Sequence, residues 1–129
     1  MKGKGVKVIL VNELNEIFLL HRDNKPGLAV KNKWSFVGGH VDEGETPEEA
    51  VVRETKEEID FDLKAFSLFK IYENPDVFSY VFVGKINKKL FELTLYEGNG
   101  MGFFTIEDAL EMNISKNTKK YIEEYFNKN

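Results

Sequence analysis

An α/β fold with a mixed sheet is the architecture this sequence predicts, and three observations carry the prediction. Short β-rich runs recur through residues 6–104, a helix with several start signals interrupts them after residue 46, and an amphipathic helix closes the chain. At 129 residues one core can bury enough apolar surface to fold unaided, so a single domain over 1–129 is expected. Hydrophobic residues at 42%, with eleven Phe and five Tyr, place the chain among globular rather than disordered sequences.

The elements follow in order. Residues 6–11 are largely β-branched, and an apolar run resumes at 17–20 after Asn12-Glu13-Leu14-Asn15, which predicts a hairpin. Residues 21–33 hold Asp, Asn, Lys, Pro26 and Gly27, the chemistry of a loop, and they lead to a short strand, Trp34-Ser35-Phe36-Val37, running into Gly38-Gly39. Thr46-Pro47-Glu48-Glu49 then carries an N-cap, a proline at the first helical position and the glutamate of a capping box, predicting a helix to about Ile59. Two β-rich runs, 63–72 and 77–86, flank a turn at Glu73-Asn74-Pro75-Asp76, and residues 100–104 add a short strand. Thr105 with Asp108 opens a brief helix, and 115–126 reads as the closing helix, with Ile114, Tyr121, Ile122, Tyr125 and Phe126 as its apolar contacts.

Composition narrows the function. A formal charge of −4 with scattered basic residues lacks the footprint of a protein that grips a nucleic-acid backbone, so no polymer partner is expected. A free nucleotide stays open, because a bound divalent ion neutralises phosphate charge locally. The absence of cysteine fits a reducing compartment. No h-region and no apolar run long enough to span a bilayer is present, so the expected location is the cytoplasm, with no membrane partner.

Helical geometry gathers carboxylates. With Arg53 at zero and about 100° per residue, Glu57 falls near 40°, Glu54 near 100° and Glu58 near 140°, while Val51, Thr55, Ile59 and Val52 cover roughly 160° to 260° as the side to be buried. Like charges at these spacings repel by a few tenths of a kcal/mol per pair, and a hard divalent cation such as Mg²⁺ would offset that repulsion. Arg53, one turn before Glu57, can pair with it and orient it. A solvated charged face is the competing explanation of any glutamate-rich helix, and only the residues before the helix displace it.

From Gly39 the chain reads five residues, Glu45, seven residues, then Arg53-Glu54-Thr55-Lys56-Glu57-Glu58-Ile59-Asp60-Phe61. This resembles the Nudix box, G-x5-E-x7-R-E-U-x-E-E-x-G-U, with its six Gly, Glu and Arg positions up to Glu58 filled; the stretch 44–54 is particularly similar to MutT-type members. Asp60 replaces the usual glycine, Thr55 and Phe61 replace aliphatics. Asp tolerates a left-handed backbone at a helix end, and Thr55 on the buried face needs an acceptor such as its own i−4 carbonyl.

The resemblance implies an α/β/α sandwich and a Mg²⁺- or Mn²⁺-dependent hydrolase that splits a phosphoanhydride bond of a small nucleotide. It carries the role of metal ligand to Glu54, Glu57, Glu58 and the Gly39 carbonyl, and assigns Glu45 to bracing the loop. Arg53 would orient a neighbouring glutamate. The general base is left among Glu54, Glu57 and the later loop acid Glu97. Arg22 is a candidate phosphate clamp, Trp34, Phe36 and Tyr72 are candidate stacking residues, and His21 and His40 lack metal-ligand spacing. Nucleoside diphosphates linked to another group lead as substrates, followed by nucleoside triphosphates. A noncatalytic Nudix-like nucleotide or sugar-nucleotide sensor is the alternative, and an acidic interaction domain without a ligand the third reading. Homodimerisation is left open.

Overall fold

The computed structural model describes residues 2–22 and 32–127. The expected hairpin is β1 (Gly3–Val11) and β2 (Ile17–His21), antiparallel. Its turn closes on Asn12, whose Oδ1 accepts from the backbone N–H of Leu14 at 3.1 Å and of Glu16 at 2.9 Å, an Asx turn. Most of the loop expected over 21–33 lies outside the described residues. β3 (Trp34–Ser35) and β4 (Val37–His40) follow, then α1 (Pro47–Ile59), the antiparallel pair β5 (Phe66–Glu73) and β6 (Val77–Lys85), β7 (Gly100–Phe104), α2 (Ile106–Leu110) and α3 (Lys116–Phe126).

These strands form one sheet with the path β3-β2-β1-β6-β5, while β4 pairs with β1 and β7 with β2. β1 runs parallel to β6 and the other ladders are antiparallel, so the sheet is mixed as expected. Alternation along β1 divides the core. Val6, Val8 and Leu10 enter a layer with Ala50, Val51 and Ile59 of α1, whereas Ile9 enters a second layer with Ala109 of α2 and Tyr121 and Ile122 of α3. Helices therefore cover both faces, which is the expected α/β/α sandwich.

α1 begins as its sequence dictates. The Thr46 hydroxyl accepts from the Glu49 N–H at 3.1 Å and the Glu49 carboxylate accepts from the Thr46 N–H at 2.9 Å, closing the capping box. It ends on Asp60 in the left-handed region, φ 59° and ψ 40°, with its N–H on the Lys56 carbonyl. The Thr55 hydroxyl donates to the Val51 carbonyl at 2.7 Å, the i−4 acceptor it needed.

Two expectations require correction. α1 is rotated about its axis relative to the wheel: its buried residues are Ala50, Val51, Thr55, Glu58 and Ile59, an arc from roughly 60° to 240°. Val52, assigned to the buried side, is 36% exposed, and Glu58, assigned to an open acidic face, is 2% exposed. The cause is a partner set that hydrophobic periodicity does not see, since an arginine and a backbone N–H satisfy the Glu58 carboxylate in the interior. The strand expected from residue 63 begins at Phe66. Leu63 is buried all the same, packing its side chain against Gly84 of β6 instead of joining the ladder.

Candidate functional site

Gly38 and Gly39 of β4 lie between β1 and α1 and leave no room for a side chain. Gly38 pairs with Lys7 and Gly39 with Val6. A Cβ at Gly38 would stand 2.0 Å from the Val6 carbonyl oxygen, and a Cβ at Gly39 would stand 2.4 Å from the Glu54 carboxylate. Glycine at 39 is what allows a glutamate to lie directly on the strand backbone.

Arg53 organises this carboxylate cluster. Its Nε donates to Glu45 Oε2 at 2.7 Å and its Nη2 to Glu45 Oε1 at 3.0 Å, a bidentate pair. Nη1 donates to Glu54 Oε1 at 2.9 Å and Glu57 Oε1 at 3.0 Å, so two glutamates converge on one nitrogen. Nη2 also donates to the His40 carbonyl at 2.9 Å, tying helix to glycine strand. Glu45 in turn accepts from the Asp42 N–H at 2.9 Å, which closes the loop between β4 and α1. Arg53 and the Asp42 N–H hold the Glu45 carboxyl below its ordinary range. Burial pushes the Glu54 carboxyl up, with Glu58 and Glu57 adding to the rise and Arg53 opposing it. The same carboxylates raise the Arg53 guanidinium further above its usual value, fixing it as a cation.

Glu58 is held apart from that cluster. Its Oε2 accepts from Arg22 Nη1 at 2.6 Å and its Oε1 from the Gly38 N–H at 3.0 Å. Arg22 has its other nitrogens on Ser35 Oγ at 3.0 Å and the Phe36 carbonyl at 2.8 Å, and its side chain is 14% exposed. In this structure Arg22 is an internal brace of β2, β3 and α1.

Glu97 is exposed, on a loop stitched to the end of α1 and to β2: the Tyr96 N–H donates to the Glu58 carbonyl at 2.9 Å and the Asn99 N–H to the His21 carbonyl at 2.8 Å. Gly98, at φ 108°, passes so close to the His21 carbonyl that a Cβ would sit 2.7 Å from that oxygen. The loop acid is thereby brought to the same end of α1 as Glu58. Tyr72 is not brought to this site. It is buried on β5, with its hydroxyl donating to Glu124 at 2.7 Å and its ring 4.8 Å from Tyr121; burial first and Glu124 second raise the phenol well above its usual value. Phe36 is fully buried, Trp34 packs between His21 and Phe104, and His40 is exposed beside Gly39.

Lys7 escaped the sequence reading. It stands on β1 opposite Gly38, and its ammonium reaches the Phe36 carbonyl at 3.5 Å. Burial, with Arg22 nearby, lowers it to about 8, against the opposing pull of Glu58 and Glu54. The available signal was a single cation inside the apolar run Val6-Lys7-Val8-Ile9-Leu10.

Beside the glycine strand a cavity of about 300 Å³ runs from Lys7, Gly39 and His40 to Asn117, Thr118 and Tyr121 of α3. A larger one of about 480 Å³ opens between the β1–β2 turn, the end of β6 and Tyr125–Phe126, and shares no residue with the carboxylate cluster. Among the described residues, no three His, Cys, Asp or Glu side chains are already gathered closely enough to hold a metal ion. The donor chemistry nonetheless fits a hard divalent ion: two carboxylates lie within 3.0 Å of one cationic nitrogen, on a strand where glycine leaves the backbone open. No helix among the described residues is long and apolar enough to cross a membrane.

Comparison with known proteins gives the family and the fold. The sequence pattern of the NUDIX domain matches residues 1–125. The 8-oxo-dGTP diphosphatase of Escherichia coli is 49% identical over 70 residues, 53% of each chain. An RNA pyrophosphohydrolase of Nitratiruptor is 35% identical over 105 residues, 81% of this chain and 60% of that one. The chain thus spans 53% and 60% of the lengths of these two relatives. In fold it is similar to a solved structure from a study of MutT of Aliivibrio salmonicida and Vibrio cholerae, with a TM-score of 0.84 and 22% identity over the whole of both chains.

Proposed function

The chain belongs to the NUDIX family, and from that premise we propose that it is a hydrolase of phosphoanhydride bonds in a small nucleotide, dependent on Mg²⁺ or Mn²⁺. The observation that carries this reading is the Arg53 guanidinium drawing Glu45, Glu54, Glu57 and the His40 carbonyl around a glycine strand. Like charges collected at that density are useful for holding a divalent cation and wasteful otherwise.

Glu54, Glu57 and the Gly39 carbonyl are the residues that would hold the metal. Glu58 would join them if Arg22 exchanged its 2.6 Å contact for a substrate phosphate, the clamping role proposed for Arg22. When bound, the metal supplies charge neutralisation on the phosphate oxygens and acidifies water. The rest is work for the protein. Arg53 keeps Glu54 and Glu57 in one orientation, and Glu45 keeps Arg53 in place. A carboxylate, from Glu54, Glu57 or Glu97, takes the proton of the attacking water. The water oxygen bonds to phosphorus, and the bridging P–O bond breaks with its electrons leaving on the departing phosphate. The cavity between the glycine strand and α3 is where the nucleoside would lie, its size within the range that encloses a small ligand. The name of the Escherichia coli relative supports nucleoside triphosphates as substrates beside diphosphate-linked nucleotides.

The test is turnover of a nucleotide panel with Mg²⁺ or Mn²⁺ by the native chain and by Glu57→Gln. Cleavage of at least one phosphoanhydride is expected, with a loss of about a hundredfold or more in the variant. Metal-dependent binding of these nucleotides without turnover would sink the enzyme reading and leave a sensor.

A further inference from the structure

A lysine that the family's motif does not include lines the cavity beside the glycine strand. Each neighbouring carboxylate is already held by an arginine, Glu58 by Arg22 and Glu54 by Arg53. The Phe36 carbonyl receives Arg22 at 2.8 Å and Lys7 only at 3.5 Å, the limit of a hydrogen bond. An ammonium has three donors. Among the described residues the acceptors present leave two of them with no protein partner, on a side chain that is largely buried and lines the cavity with Gly39, His40 and Thr118. β1 shows why it faces there: Lys7 shares the strand parity of Ile9, which packs under α3, and Gly38 opposite offers no side chain to fill the space.

We propose that Lys7 is a substrate-positioning residue that binds the phosphate attached to the nucleoside, from the lining of the cavity between Gly39 and α3. This rests on the hydrolase reading above. The position argues for that phosphate: Lys7 lines the cavity with Gly39, the residue on which the Glu54 carboxylate lies and beside which the chemistry would occur, and Asn117 and Tyr121 of α3 line it from across, where a nucleoside fits. Arg22 and Arg53 keep their roles; Lys7 adds a point charge that recognises an anion and tolerates any base.

The experiment compares binding of the four ribonucleoside 5′-monophosphates with that of the parent nucleosides by calorimetry, on the native chain and Lys7→Met. A chelator is present so that no metal bridges the phosphate. On the native chain the best-bound monophosphate should bind about tenfold or more tighter than its nucleoside, and in Lys7→Met the two should differ by about threefold or less, the scale of one charged hydrogen bond. Substrate KM should rise about tenfold with kcat little changed, as for uniform binding. A merely structural lysine would weaken both ligands equally and leave the ratio intact, which overturns the assignment. So does a native chain that turns over nucleotides yet binds every monophosphate no better than its nucleoside. Absence of turnover of any nucleotide by the native chain refutes the hydrolase reading instead. Thermal melts establish that Lys7→Met is folded, and Lys7→Gln takes its place in the same comparison if it is not.

Discussion

Replacing Lys7 by methionine removes a charge that burial disfavours, so the variant should be more stable than the native chain at neutral pH. The ammonium is lowered from its ordinary 10.5 to about 8, chiefly by burial and then by Arg22, with Glu58 and Glu54 opposing. At 1.36 kcal/mol per tenfold change in proton affinity, that displacement sets a ceiling of about 3 kcal/mol on the cost of keeping the side chain charged. That displacement already nets the two glutamates against burial; methionine forfeits the contact with the Phe36 carbonyl, and partial solvent exposure of the side chain discounts the cost further, which brings the expected net gain to about 1–2 kcal/mol, or roughly 4–8 °C in Tm. The sign with pH follows from proton counts. Between about pH 8 and 10.5 the unfolded chain binds more protons than the folded one, so native stability rises across that window; below it the full cost is present, and above it the cost is gone. Urea or thermal melts of both proteins without metal, at pH 7 and pH 10.5, therefore should show an advantage for Lys7→Met at the lower pH that disappears at the higher. A variant less stable than the native chain at pH 7, or an advantage unchanged at pH 10.5, refutes the reasoning.

Three further outcomes separate the parts of the site. Gly39→Ala places its Cβ against the movable carboxylate of Glu54, so melts should change by less than about 1 kcal/mol while kcat/KM falls about a hundredfold; Gly38→Ala meets the Val6 carbonyl, which cannot move alone, and should cost about 3 kcal/mol in a denaturant titration. Arg53→Ala releases Glu45, Glu54, Glu57 and the His40 carbonyl together, and should lower turnover about a hundredfold or more while lowering stability by about 1–2 kcal/mol, since the side chain is partly solvated. Asp60→Gly relieves a left-handed residue at the α1 end but loses the pair with Lys56, and thermal melts should show a net gain of about 0.5–1 kcal/mol.

What was legible beforehand is what short-range chemistry encodes. The capping box, the i−4 acceptor of Thr55 and the left-handed Asp60 each depend on residues within four positions of one another, so the sequence specifies them almost independently of the rest of the chain. The carboxylate spacing and the glycines before α1 are local in the same sense, and so were the family likeness and the Arg53–Glu57 pair. The hairpin, the β5–β6 pair and the three helices followed from periodicity and turn chemistry.

The remaining decisions belong to contacts between distant segments. Arg22 meets Glu58 across 36 positions, and that pairing turns Glu58 inward, rotates the buried arc of α1 and leaves Val52 outside. Tyr72 is taken by Glu124 and Tyr121 of α3, and the Glu97 loop is joined to α1 and β2 through backbone hydrogen bonds that carry no side-chain signature. Lys7 acquires its position from the register of β1 against β4 and the parallel pairing of β1 with β6. Register is a property of the assembled sheet: a one-residue slip would send Lys7 to the opposite face, and nothing within a few residues of it states which face it takes. The identity of the acidic helix was therefore written in the chain, whereas which of its glutamates lies open to a ligand and which is locked to an arginine was settled by tertiary packing, because burying a charge depends on the partner that arrives from elsewhere.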